Sequence, residues 1–456
     1  MTPRNTQPLP FSSPTGRVLH ADFSGGHLTS DAGTLLLREA DKNLGLIDAL
    51  DRVIPDPRHP VFIQHPQRTL LAQRIFGIAA GYEDLNDHQH LRHDPLWQML
   101  TDHPGTDDHP ELASPPTLCR LENRMTRKTL VDMSAVLIDI FIASFATPPE
   151  HLTLDLDATD LEIHGHQEQR FFHGYYDSYC FLPLYIYCGD QLLVAYLRSS
   201  NCDAFLHSRA ILKLLIARLR SAWPNVRITI RGDSGFCRWR LMRWCDHNDV
   251  RYILGLARNP VLERLAGPLT ALVLDRHRAD GRSYRTYDWC HYGAASWDRA
   301  RRVIIKAEQL GGPNAKSNPR FVVTNLPGDA RELYEQVYCP RGEMENRIKE
   351  QGQLFATRTS CHEFLANQFR LLLSAAAYVL VEYVRRVGLV GTEMEHAEVQ
   401  TVRLKLFKIG AWVQRTVRRI VVRMSSSYVW VELFERVVER LRSARPSAAA
   451  RGCLSG

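Results

Sequence analysis

Ten cysteines are spread through 456 residues without a single Cys-x-x-Cys pair, so neither a disulfide scaffold nor a paired redox centre is expected, and the thiols read as reduced. Long apolar runs are also missing. The longest, 371–381, is interrupted by Ser374 and flanked by Arg370 and Glu382, which is short for crossing a bilayer. No apolar signal segment opens the chain, and a cytosolic protein without a membrane partner is expected. With 45% hydrophobic and 23% charged residues the composition excludes a disordered or collagenous chain, and the length admits two to four domains of roughly 100–200 residues. Lysine is scarce, eight residues against 49 arginines. Acid is absent from one stretch: residues 401–430 hold Arg403, Lys405, Lys408, Arg415, Arg418, Arg419 and Arg423 with no Asp or Glu. Those seven equal the whole net charge of +7, and the rest of the chain sums to zero. A local basic segment on a balanced body points to a polyanion, and Arg415, Arg418 and Arg419 are its expected phosphate contacts.

After a Pro-, Thr- and Ser-rich start, the pattern to about residue 146 is helical, with Asp31 as a candidate cap. Ser114-Pro-Pro-Thr opens a short charged helix. Arg120 and Arg124 on one of its faces suit a DNA major groove, and a capped surface helix is the alternative. From 151 the pattern turns to strands: 152–156, 181–188, 191–197, 226–231 and 252–256, with helices over 203–223 and 239–248. This is an α/β order. Strand-like runs at 285–289, 303–307 and 321–324 read as a β insertion, followed by helix over 340–387 with a break near Ser360. The boundaries are therefore a helical region 1–150, a core 151–257, a β insertion 258–327, core helices 328–390 and a basic C-terminal region 391–456. His88, His90 and His93 lack a further convergent ligand nearby in sequence and read as a polar loop rather than a zinc site.

Three acidic places carry chemistry. In Leu154-Asp-Leu-Asp-Ala-Thr-Asp160, strand periodicity puts Asp155 and Asp157 on one face and the leucines on the other. Aspartate is disfavoured in strands, so two on one face need a reason. Ile228-Thr-Ile-Arg-Gly-Asp-Ser-Gly-Phe236 presents Asp233 at the carboxyl end of a strand, where open sheets bind ligands. In Tyr338-Cys-Pro-Arg-Gly-Glu-Met-Glu-Asn-Arg-Ile-Lys-Glu350, Arg341, Glu345 and Lys349 share a helix stripe, with Glu343 about 200° away from Glu345. Two strand aspartates and a helix glutamate are hard oxygen ligands suited to Mg²⁺ in phosphodiester chemistry.

The order Asp157, Asp233, Glu345, with a β insertion before the glutamate, resembles the DDE transposases of bacterial insertion sequences. Tyr338-x2-Arg341-x3-Glu345 resembles the Tyr-Arg-Glu-Lys signature of one group of them. Leu156-Asp-Ala-Thr-Asp160, Phe181-Leu-Pro-Leu-Tyr185, Arg231-Gly-Asp-Ser-Gly-Phe236 and Gly81-Tyr-Glu-Asp-Leu-Asn-Asp87 resemble insertion-sequence family thirteen-eighty. The resemblance implies a ribonuclease-H-like mixed sheet with helices and a helical N-terminal region for DNA-end binding or pairing. It implies two Mg²⁺ ions, with Mn²⁺ able to substitute, on Asp157, Asp233 and Glu345, Asp155 being the alternative first acid. It further implies cleavage at terminal inverted repeats, strand transfer into target DNA, a homodimer in the synaptic complex, and a bacterial cytoplasmic, nucleoid-associated setting. Tyr338 and Arg341 would hold a phosphate, and Trp289 and Trp297 would stack on an extruded base. One departure stands out: the signature lysine position holds Gly352, and Lys349 is the expected substitute. A catalytically inert DNA-binding descendant and a nuclease without strand transfer are the competing expectations.

Overall fold

A computed structural model describes residues 9, 11–12, 17, 19–102, 111–311, 317–416, 418–444 and 446. Most of the segment read as an N-terminal tail lies outside the described residues. The chain divides into two compact units, one from Met125–Val379 and one from the described residues of Met1–Arg124 and Leu380–Pro446. These divisions differ from the boundaries expected at 150 and 390. The helix Arg127–Ala143 joins the larger unit because Ile138 and Phe141 are part of its apolar core. The C-terminal segment joins the N-terminal helices partly because the buried Arg403 donates to the Ala79 carbonyl at 2.9 Å.

Fourteen strands among the described residues, numbered in chain order from β1 (Leu28–Thr29), form sheets of three, eight and three strands. The eight-stranded sheet has the order β10-β11-β12-β9-β8-β2-β6-β7. Its middle is β2 (His151–Ala158), flanked by antiparallel β6 (Leu184–Cys188) and parallel β8 (Arg227–Gly232). β7 (Gln191–Tyr196) closes one edge, and β9 (Arg251–Leu256) runs parallel beside β8. The alternation works as read. Leu152, Leu154 and Leu156 are buried with Ile228 and Ile230 in the main core, under the helices Arg127–Ala143 and Ser208–Ala222. The other residues of β2 therefore face the opposite side of the sheet.

The stretch 258–327, read as a β insertion, carries a helix as well as three strands. It opens with a 21-residue helix, Pro260–Asp280, capped by Asn259, whose side chain accepts from Val261 and Leu262. Then β10 (Tyr284–Tyr292), β11 (Arg301–Gln309) and β12 (Arg320–Thr324) add antiparallel to β9 and extend the same sheet. Unpaired backbone groups along β9 are thereby satisfied, the usual way a sheet edge is covered. The expected helix is interrupted around Ser360 and forms two, Gly342–Gln353 and Phe364–Tyr383. The second, with its π-turn to Gly388, has 25 residues and enough hydropathy to cross a membrane by length and composition, so length does not exclude it; 78% of its apolar window is buried in the protein, as in a core helix.

In the smaller unit, Asp31 makes no side-chain capping bond. It is a buried hub, accepting from Tyr82 Oη at 2.7 Å, Trp97 Nε1 at 3.1 Å and Lys408 Nζ at 2.7 Å. The histidines diverge: His88 is buried against Arg74 and Gln73, and His93 pairs with Glu111 at 3.0 Å. No disulfide forms among the nine described cysteines.

Candidate active site

β2 and β8 pair in parallel with Asp155 opposite Arg231 and Leu156 opposite Gly232. Asp157 and Asp233 are the next positions along, at the carboxyl ends of adjacent strands and on one sheet face. Asp233 turns the chain into a short 3₁₀ helix by accepting from Gly235 N at 2.8 Å. The third acid arrives on a helix. Residues Leu333–Tyr338 form a π-turn whose Leu333 and Tyr334 pack on Ile253, Ile304 and Val322 of the same sheet face. Pro340 lies in the following 3₁₀ turn Cys339–Arg341, which leads into Gly342–Gln353 and presents Glu345.

The three carboxylates meet at one guanidinium. Arg341 Nη2 lies 3.2 Å from Asp157 Oδ2 and 3.9 Å from Asp233 Oδ2, and its Nη1 lies 3.5 Å from Glu345 Oε1. Asp157 is buried, Asp233 half-exposed and Glu345 exposed. Burial raises the Asp157 carboxyl to about 6; Arg341 pulls it down, and the charges of Asp233 and Glu345 push it up. Arg341 Nε is buried and has no acceptor among the described residues. A donor in that state is open to water or to a ligand oxygen.

Asp155 stands outside this cluster. Arg231 holds it in a two-pronged ion pair, Nη2 to Oδ2 at 2.7 Å, and sends its Nη1 to the Val337 carbonyl at 2.6 Å. Asp155 is thus committed to a structural partner, and burial raises its pKa against the pull of Arg231. Arg231 fastens the strand bearing Asp233 to the turn bearing Tyr338. It was missed in the sequence because Arg-Gly-Asp has no meaning as a local motif.

Gly255 was missed too. A Cβ there would lie 2.7 Å from Tyr338 Oη, 3.0 Å from Ser234 N and 3.2 Å from the Asp233 carbonyl carbon. Only glycine lets those three approach, and a glycine inside an apolar strand was the available signal. Asp233, Gly255, Arg258, Arg320, Tyr338 and Arg341 line a cleft of about 420 Å³.

Other expected site residues are dispersed. Lys349 is exposed and makes no hydrogen bond or ion pair among the described residues. Trp289 is exposed on β10, the sheet edge, with the Arg302 guanidinium 5.2 Å from its ring centre. Trp297 instead packs on the main core and against Tyr292, which removes it as a free stacking ring. Arg120 is exposed, and its guanidinium donates to Thr117 Oγ1. Arg124 is the correction: it follows the last turn of its helix and binds Asp56 at 3.1 Å and Gln67, so its charge is spent inside the unit. In the basic stretch, Arg403 is buried and its pKa lowered to about 10 by burial, and Lys408 pairs with Asp31. Arg415, Arg418 and Arg419 are exposed at the end of the hairpin of β13 (Ala411–Arg415) and β14 (Ile420–Met424).

Among the described residues no three His, Cys, Asp or Glu side chains are arranged to hold a metal ion unaided. The trio nonetheless fits one by chemistry: three oxygen acids from three elements direct their charge at a single cationic group.

No curated protein sequence matches this chain. Among solved structures, it is similar to that of a piggyBac transposase synaptic complex with hairpin DNA, at 12% identity and a TM-score of 0.41, covering 94% of this chain and 85% of that one. A likeness at that level fixes nothing about function. The profile of the family "Transposase DDE domain group 1" matches residues 11–446. The chain belongs to that family and is a DDE-type transposase.

Proposed function

We propose that this transposase cuts DNA at the terminal inverted repeats of an insertion sequence and joins the freed 3′-hydroxyl ends to target DNA. The convergence of Asp157, Asp233 and Glu345 on Arg341 carries the reading. DDE transposases use divalent metal ions; here Asp157, Asp233 and Glu345 would hold two, magnesium or manganese. Such ions activate the attacking oxygen and stabilise the leaving one. The strand order β7-β6-β2-β8-β9, with β2 between an antiparallel and a parallel neighbour, supports a ribonuclease-H-like core.

The chain's own residues supply the rest. Arg341 keeps the acids together and has an unused Nε for a phosphate oxygen, a task suited to its planar fork. Tyr338, seated over Gly255 and beside Asp233, lines the cleft that would take the cleaved end. The exposed Arg418 and Arg419 suit the DNA backbone, and a homodimer would bring two ends together.

Incubating the full chain with Mg²⁺ and a labelled fragment bearing the element's ends tests the proposal. Nicking followed by joining is expected from the wild type and neither from Asp157→Asn. Cutting without joining would establish a nuclease. A stable uncut complex would establish the inert binder, the reading that Gly352 at the signature lysine position favours.

A further inference from the structure

Three residues past Ala158 the chain enters a small second sheet, β3-β5-β4, made of Leu161–Glu162, Ser178–Phe181 and Phe171–His173. Its outer ribbon is unusually aromatic. Phe172 and Tyr179 pair across β4 and β5 with ring centres 5.6 Å apart, and the Arg170 guanidinium stands 4.0 Å from the Tyr179 ring centre. Tyr175, in the turn between the strands, is 84% exposed, Phe172 52% and Tyr179 45%. Rings clustered on one short ribbon and left in water mark a binding surface rather than ordinary surface scatter.

The ribbon is held in place. Ser200 Oγ donates to the Phe171 carbonyl at 2.8 Å, and Tyr176 N to the His173 carbonyl at 3.1 Å. At its base Glu168 N donates to the His362 carbonyl, and the Glu168 carboxylate accepts from Phe364 N, both at 3.0 Å. Presenting rings from a fixed backbone reduces the ordering cost of binding. The ribbon also follows directly on the strand that bears Asp157: β2 ends at Ala158, and β3, which begins at Leu161, pairs with β5.

We propose that this ribbon is a stacking platform for unpaired DNA bases beside the cleavage site, with Phe172, Tyr175 and Tyr179 taking base faces and Arg170 a neighbouring base or phosphate. Aromatic faces interleaved with a guanidinium are how proteins hold single strands without reading sequence, because every base has a π-face. Because the sheet that carries the ribbon starts three residues after β2, next to Asp157, the occupant it suits is a DNA strand opened at the cut and not a protein partner. The inference rests on the cleavage reading of Asp157 for its purpose; its test needs no cleavage.

The full-length chain without metal is titrated with a short single strand carrying 2-aminopurine and with a duplex of equal length. Wild type should quench the probe. The double variant Phe172→Ala with Tyr175→Ala should lose roughly 5- to 100-fold in single-strand affinity with duplex affinity unchanged. Phe172→Trp should keep the quenching. Tyr175→Ala alone removes a ring that lies almost wholly in water, so its smaller loss is free of any folding defect. Unchanged strand binding in the double variant, or equal loss on strand and duplex, overturns the proposal. So does a dimer that dissociates when the rings are removed while strand affinity stays, which would make the ribbon a self-association surface. A chain that binds strands through these rings and never cuts DNA would sink the cleavage reading and leave this one standing.

Discussion

Asp157→Asn should make the metal-free protein more stable near neutral pH while abolishing strand cleavage. Burial raises the carboxyl from 3.8 to about 6 even with Arg341 beside it. The folded state therefore binds this proton more tightly than the unfolded chain. Its advantage is full below about pH 4 and is lost as pH climbs through about 6. A rise of roughly two pKa units corresponds to about 3 kcal/mol of stability lost by neutral pH. Asparagine has the same shape and no charge to bury, so the variant should match wild type near pH 4 and exceed it by about 3 kcal/mol near pH 7. Amide hydrogen exchange along β2 and β8 reads that difference locally, without assuming that both units unfold together. Adding Mg²⁺ should stabilise wild type and close the gap, because a bound cation favours the ionised acid, whereas the asparagine variant should gain less. A variant less stable than wild type at neutral pH, or a gap unchanged between acid and neutral pH, would refute the reasoning.

Gly255→Ala should cost about 1–3 kcal/mol, since Tyr338 Oη and the Ser234 and Asp233 backbone must all yield, and cleavage should fall with it; thermal melting and the nicking assay together check this. Gly352→Lys should raise helix stability by about 0.5–1 kcal/mol, since a Cβ there would meet Thr357 Cγ2 at an ordinary 3.8 Å. The same variant should tighten binding of end DNA in a shift assay if a cation is useful there. Arg124→Ala should lower stability by about 1 kcal/mol through its lost bonds to Gln67 and to Asp56, which keeps its pair with Arg58, with DNA affinity unchanged in the folded fraction. Arg418→Ala with Arg419→Ala should leave stability unchanged and reduce the salt dependence of DNA binding by roughly one or two counterions.

The acids were legible because local periodicities expose them. Two aspartates on one face of a strand, an aspartate at a strand's carboxyl end and a glutamate one turn past Arg341 need only the repeat of strand and helix. What escaped depends on pairing between distant segments. Nothing local says that Arg231 will sit across from Asp155 or that it will reach the Val337 carbonyl 106 residues away. The turns after Arg258 hid a 21-residue helix, and the strands beyond it gave no sign that they would extend the existing sheet instead of forming a new one. Charge counting misled for the same reason. Of the seven basic residues that equal the net charge, Arg403 and Lys408 satisfy the protein's own carbonyls and carboxylate, and Arg124 does likewise elsewhere in that unit.

Arg341 shows why arginine and not lysine suits the centre of this site. Three carboxylates from β2, the turn after β8 and the helix Gly342–Gln353 reach its two terminal nitrogens, and the buried Nε has no acceptor among the described residues. A guanidinium has five N–H donors in a plane, so one edge can serve carboxylates while another serves a phosphate. Lysine offers a single point charge, which would have to leave the acids to reach an anion. The same guanidinium thus answers two problems at once. It offsets the mutual repulsion of Asp157, Asp233 and Glu345, and it keeps a directed donor for an anion. Because both demands fall on one side chain, occupation of the acids by a divalent cation would free Arg341 for phosphate, and phosphate bound to Arg341 would free the acids for the cation. Reciprocity of that kind follows from linkage alone, with no movement of the sheet required.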